Sequence, residues 1–98
     1  MVEVSVLLDR VSKATGELRE QIVAKGVMEY LKSKLREVNA EIIEVCNKYK
    51  VASARDMERK YESGELEEEG SWRDFFRLSH LEERRDTLQR LLEDTTLE

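Results

Sequence analysis

The amino-acid sequence predicts an all-α fold: a long antiparallel helical hairpin, coiled-coil-like, with a short helix in its connection. The chain of 98 residues contains no proline and is 40% charged, which is typical of long helices rather than of turn-rich sheets. Apolar residues recur at alternating steps of three and four, and two Ser-x-x-Asp motifs stand where helices would begin. A single domain of this size has a thin core, so we expect a homodimer that covers the remaining apolar stripes.

The first predicted element is a long helix over residues 1–50. Its strongest signal is a run of seven apolar residues at heptad spacing, which predicts a seam that packs along another helix, either in the same chain or in a dimer. This seam consists of Met28, Leu31, Leu35, Val38, Ile42, Val45 and Tyr49. Gly16 and Gly26 are the two positions where this helix could break, because glycine costs a helix about 1 kcal/mol relative to alanine.

The N-terminus also supports a different interpretation. Residues 2–6 alternate valine with Glu or Ser, which is the pattern of a β-strand. A short strand followed by two helices would be a ribbon-helix-helix, which is a dimeric DNA-binding fold. A helix over residues 2–8 is favoured because the apolar steps continue to Leu18 and no turn residue closes a strand. A DNA-binding regulator therefore stays an alternative function.

A short second helix is predicted over residues 54–63. Ser53 and Asp56 have the spacing of a capping box, in which the serine side chain accepts from the backbone of the third helical residue. Gly64 follows as a natural stop, because glycine readily takes the left-handed conformation that ends many helices.

A third helix is predicted over residues 72–93, after an acidic connector over residues 65–70. Ser71 and Asp74 repeat the Ser-x-x-Asp spacing and would cap this helix at Trp72. Its leucines are expected to lie antiparallel on the seam. They include Leu78, Leu81, Leu88 and Leu92.

An aromatic cluster opens the third helix and faces nearly away from these leucines. Either Met57, Tyr61 and Leu66 cover the rings as a second small core, or the rings anchor another protein, since aromatic residues are common interface hot spots. The candidate partner-binding residues are Trp72, Phe75, Phe76, Glu67, Glu68 and Glu69.

The charge distribution favours a basic protein as the partner. Residues 1–60 carry 12 Lys/Arg against 10 Asp/Glu, a net of +2, and residues 61–98 carry 5 against 12, a net of −7. The acidic half would repel a phosphate backbone, so nucleic acid is the less favoured partner. The simpler alternative is that these charges only keep exposed helix faces solvated.

No catalytic residue, metal site or cofactor is expected, so the chain is predicted not to be an enzyme. His80 is the single histidine, and with Glu83 it would hold a metal only if a dimer supplied a second pair. Cys46 is predicted to be a small buried apolar residue. A lone cysteine favours a reduced cytoplasmic setting, and no stretch approaches the roughly 20 apolar residues of a membrane span.

Residues 47–93 also follow a recognisable order of motifs. A long helix ends in Lys48-Tyr49, and a short helix carries the aromatic Tyr61 and is followed by Gly64-Glu65. The pair Asp74-Phe75 then opens a leucine-rich helix that includes Leu78. This order resembles small archaeal and bacterial antitoxin-like proteins, although Lys50 and Arg77 replace a glycine and an aromatic of that pattern. The resemblance implies a protein-interaction module that binds a basic partner such as a toxin. A structural coiled-coil adaptor is the remaining alternative.

Overall fold

Four helices follow one another in the computed structural model, which describes residues 3–96. They are α1 (Val4–Thr15), α2 (Arg19–Tyr49), α3 (Ala54–Ser63) and α4 (Trp72–Thr96). No strand occurs within residues 3–96. α4 packs along α2 and runs antiparallel to it, while α3 lies in the connection and contacts α4. The predicted all-helical antiparallel hairpin is therefore confirmed, in an elongated molecule of 62 × 33 × 15 Å.

The N-terminal helical segment is broken at Gly16, whereas Gly26 lies inside α2. Gly16 has a φ of 78°, and its N–H donates to the Ser12 carbonyl at 2.8 Å. Glycine takes this left-handed conformation without the clash that a Cβ atom causes. Residues 4–8 belong to α1, so the strand alternative is wrong for them, while residue 2 lies outside the described residues.

The core lies where α2, α3 and α4 meet. Met57 and Leu78 are both 0% exposed at its centre. Around them pack buried residues of all three helices and of the α2–α3 connection: Val38, Ile42, Val45, Val51, Ala54 and Leu81. All seven seam residues are buried or half-buried, so the seam serves the core of one chain. Each large apolar side chain that is fully buried stabilises the fold by about 1.5–3 kcal/mol.

The start of α3 combines a local cap with a contact from α4. Ser53 Oγ accepts from the Asp56 backbone N–H at 3.1 Å, as the Ser-x-x-Asp spacing predicts. Asp56 in turn accepts from the Ala52 N–H at 2.8 Å. The Glu82 carboxylate of α4 accepts from the Ala54 N–H at 3.1 Å, so a residue distant in sequence also satisfies this helix end.

The cap predicted at Ser71 does not form, although α4 does begin at Trp72. Ser71 is 4% exposed, and its hydroxyl donates to the Glu67 carbonyl at 2.7 Å. The same oxygen accepts from the Tyr61 hydroxyl at 2.7 Å. Asp74 is directed to α2, where it accepts a hydrogen bond from Tyr49. Both side chains of the motif therefore make contacts to other parts of the chain in place of the local cap.

We expect Met57→Ala to lower the free energy of unfolding by about 2–5 kcal/mol, because it leaves a cavity at a fully buried position. Leu91→Ala is the matched control, since Leu91 is 47% exposed on α4 and its truncation should cost about 0.5 kcal/mol or less. Urea unfolding of both variants measures the difference. Equal effects of the two substitutions would show that Met57 is not central to the core.

We expect Lys50→Gly to raise the free energy of unfolding by about 1 kcal/mol. Lys50 ends α2 with φ 55° and ψ 46°, which is left-handed backbone that a Cβ atom disfavours by roughly 1–2 kcal/mol. Lys50→Ala removes the charge but keeps the Cβ atom, so it should bring no such gain. Thermal or urea unfolding that finds the glycine variant no more stable than the alanine variant would contradict this account.

Candidate partner-binding site

The aromatic cluster at the start of α4 is partly covered and partly exposed. Phe75 is half-buried, packs against the core and meets Tyr61 edge to face, with ring centroids 5.7 Å apart. Trp72 and Phe76 are 48% and 54% exposed. The cover provided by α3 therefore reaches Phe75 and leaves the other two rings at the surface.

The rings form a continuous strip from the core to the surface. Phe76 meets Phe75 with centroids 5.6 Å apart and Trp72 with centroids 6.1 Å apart, both edge to face. Such ring pairs contribute about 0.5–1.5 kcal/mol beyond the area they bury. Because Phe75 is held by the core, the strip gives Phe76 and Trp72 a fixed position although they are exposed.

A pocket lies between α3 and α4 beside this strip. Its apolar lining is Tyr61, Phe75 and Phe76, and its acidic lining is Glu58, Glu62 and Glu68. These six residues are called the acidic aromatic pocket below. An apolar floor with a few charged groups at the edge is the usual composition of a binding site.

The glutamate carboxylates at this end of the described chain make no direct ion pairs. Within residues 3–96, none of the following is in an ion pair: Glu58, Glu62, Glu65, Glu67, Glu68 and Glu69. Arg55 and Arg59 line a second pocket together with Glu58 and Glu62, although neither arginine is in an ion pair with them. The charged residues that line the acidic aromatic pocket itself are all glutamates, so a cationic group would be favoured there.

Of the three predicted acidic residues, Glu67, Glu68 and Glu69, one lies in the pocket and two lie outside it. Glu68 lines the acidic aromatic pocket, and its carbonyl accepts from the Trp72 N–H at 2.9 Å. Glu67 and Glu69 are exposed on the connector, and the Glu67 carbonyl accepts from Ser71. Sequence reasoning missed Glu58 and Glu62. Their spacing of four on α3, on either side of Tyr61, was the signal that would have placed them on one face.

A polar contact joins the end of α2 to the start of α4, next to the rings. The Tyr49 hydroxyl donates to Asp74 Oδ2 at 2.5 Å, and Lys48 Nζ donates to the same oxygen at 2.9 Å. The hydrogen bond from Tyr49, and after it that from Lys48, lowers the pKa of Asp74. Because the bond to Asp74 holds the phenolic proton, the pKa of Tyr49 is raised. Three of the motif residues quoted for the antitoxin-like resemblance therefore lie together.

His80 and Cys46 are the candidate groups outside the acidic aromatic pocket. His80 is exposed, and within residues 3–96 no three His, Cys, Asp or Glu side chains are grouped closely enough to hold a metal ion. Cys46 is half-buried against the core, and this burial raises the pKa of its thiol. None of the helices described is long and apolar enough to cross a membrane.

Comparison with known proteins adds a family but no activity. A family model matches the chain over residues 1–98. The chain belongs to the MJ0235 family. The description of this MJ0235 family, "Uncharacterized protein MJ0235 family", names neither a ligand nor a partner. No curated protein matches the chain, and no solved structure matches it. The function of the chain must therefore be inferred from its own residues.

We expect Tyr49→Phe to lower the free energy of unfolding at neutral pH by about 1 kcal/mol, because it removes a hydrogen bond to a carboxylate. The folded-state pKa of Asp74 is depressed, so the stability from this contact is present above the ordinary carboxyl pKa and is lost as the pH falls through the lower folded value. The difference between wild type and variant should therefore shrink as the pH falls below 3.8. Urea unfolding of wild type and Tyr49→Phe at several pH values measures this difference in the free energy of unfolding.

Asp74→Asn provides the control for this pH dependence. It removes the titrating carboxylate, so the added effect of Tyr49→Phe in that background should be small and independent of acid pH. A difference between wild type and Tyr49→Phe that stays constant from neutral to acid pH would contradict the assigned role of Asp74.

Proposed function

We propose that this chain is a non-enzymatic protein-interaction module whose acidic aromatic end binds a basic protein. The proposal rests above all on one observation: Trp72 and Phe76 are about half exposed beside a pocket whose acidic residues have no ion-pair partners. Exposed aromatic side chains held in a fixed position are the residues that most often dominate binding between proteins.

The chemistry of the pocket favours a partner that presents lysine or arginine. A cation that enters between Glu62 and Glu68 would approach the rings of Phe75 and Phe76, and a cation over an aromatic face gains about 0.5–2 kcal/mol. The surrounding carboxylates would speed the encounter with a basic surface by electrostatic steering. Arg73 already lies 5.2 Å from the Trp72 ring centroid, which illustrates this kind of contact within the chain itself.

An antitoxin-like role is the specific form of this proposal, with a small basic toxin as the partner in the cytoplasm. Its support is the resemblance over residues 47–93 together with the position of the motif residues. Lys48, Tyr49 and Asp74 hold the start of α4, so they position the exposed rings rather than contact a partner. Binding over the acidic aromatic pocket would cover a basic active groove of the partner.

A structural coiled-coil adaptor is the second candidate, and the elongated shape of 62 × 33 × 15 Å favours it. An adaptor would use the helical surface along its length and would not depend on two rings at one end. The DNA-binding alternative has no comparable support, because residues 4–6, which would have formed its strand, lie in α1.

We expect Trp72→Ala with Phe76→Ala to abolish recovery of a basic partner in a pull-down from the source cells. Hot-spot aromatics contribute at least about 2 kcal/mol each, so the affinity should fall more than ten-fold. Ile43→Ala with Leu91→Ala is the matched control, since both residues are exposed and lie elsewhere on α2 and α4.

The outcome of this pull-down distinguishes the two candidate functions. Partner recovery that is lost in the double variant and kept in the control supports the pocket. Unchanged recovery by a folded double variant, or an acidic partner, would contradict it. Trp72 is the single tryptophan, so its fluorescence during titration with the purified partner provides an independent readout at the site.

A further inference from the structure

We propose that a second copy of this chain docks at the opposite end of the molecule, on an exposed apolar surface formed by α1 and the start of α2. This N-terminal apolar face consists of Val4, Leu7, Leu18, Val23, Val27 and Tyr30. The proposal is independent of the function of the acidic aromatic pocket.

Part of the face is open because α4 ends before it reaches the first turns of α2. Asp74 lies beside Tyr49 and Arg77 lies beside Glu41, which sets the antiparallel register. From there the 25 residues of α4 extend about 37 Å, whereas the 31 residues of α2 extend about 46 Å. The first one to two turns of α2, with Leu18 and Val23, therefore project past α4, whereas Val27 and Tyr30 lie within the length that α4 reaches and are exposed on the flank of α2.

α1 is held beside these turns by polar contacts rather than by burial. Arg19 pairs with Asp9 and donates to Ser5 at 3.3 Å, and Lys25 pairs with Glu17 at 2.9 Å. Within Val4–Thr15 no residue is buried. The contacts fix α1 while Val4 and Leu7 stay exposed, and an open groove lined by Leu8, Val23 and Ala24 runs between α1 and α2.

The charge of this end favours a second copy over the basic partner proposed for the other end. Residues 1–30 carry 4 Lys/Arg against 5 Asp/Glu, a net of −1, whereas residues 31–98 carry 13 against 17, a net of −4. With both signs interspersed and little net charge, two such surfaces meet without strong repulsion. The acidic aromatic ends would repel one another instead.

The size of the face fits a weak dimer. Its six residues are 46–72% exposed, which corresponds to roughly 600 Å² of surface per copy. Stable interfaces bury about 800 Å² per partner, and flanking polar residues would supply part of the remainder. A two-fold arrangement would place the same face of each copy against the other, as in most homodimers. The acidic aromatic pockets, about 40 Å away along α2, would both stay open.

Sedimentation equilibrium of the full chain at about 1 to about 100 μM tests the proposal over the range of a micromolar dissociation constant. Wild type should approach twice the chain mass of 11.5 kDa at the upper concentration. Val23→Glu with Val27→Glu should weaken association at least ten-fold. Ile43→Glu is the matched control, because Ile43 is 58% exposed on α2 but lies outside the face, and it should leave association unchanged.

A wild-type chain that remains monomeric at the upper concentration would overturn the proposal and would leave the face to a different partner. Association that persists in the double variant, or that Ile43→Glu weakens equally, would also overturn it. If circular dichroism shows that the double variant is unfolded, Val27→Cys in a Cys46→Ser background replaces it. A flexible bismaleimide should then cross-link Val27→Cys into dimers and leave Ile43→Cys monomeric; the reverse pattern, or no cross-linking of either, contradicts the face.

Discussion

The register of α4 along α2 is the constraint on which the rest of the structure depends. Leu78 enters the core at 0% exposure, and four residues earlier Asp74 accepts hydrogen bonds from Tyr49 and Lys48 at the end of α2. Sliding α4 by one turn would expose the leucine and leave the carboxylate without these donors. Apolar burial and a directional polar contact therefore select the same alignment, which is how a short chain with a thin core specifies one structure.

The exposed rings follow from this register. With Asp74 held against α2, Trp72 and Phe76 are carried to the side of α4 that faces away from the core. The ten residues of α3 bring Tyr61 to Phe75 and no further, so one ring is covered while the other two remain at the surface. The acidic connector leads directly into this helix start, and its Glu68 joins Glu58 and Glu62 of α3 in the pocket beside the rings. Apolar and negative groups thus meet at one end of the molecule.

The same register leaves the other end of α2 without cover, and the two ends differ in chemistry. One end is aromatic and acidic, whereas the N-terminal apolar face is mainly aliphatic and nearly neutral. Each surface suits a different partner, since charge complementarity selects among surfaces of similar hydrophobicity. A dimer joined at the neutral end would present two acidic aromatic pockets, and such a bivalent arrangement strengthens binding to a partner that offers two sites.

The sequence alone determined the features that depend on neighbours three or four residues away: the helical class, the heptad seam, the Ser53 cap and the stop at Gly64. Periodicity and capping are local, so they can be predicted without knowing the fold. The tertiary structure decided the rest. It assigned Ser71 and Asp74 to contacts in place of a cap, brought Glu82 to the start of α3 from 28 residues away, and divided the rings into covered and exposed. These outcomes depend on which helix faces come together and in what register, and residue spacing along a single helix does not contain that information.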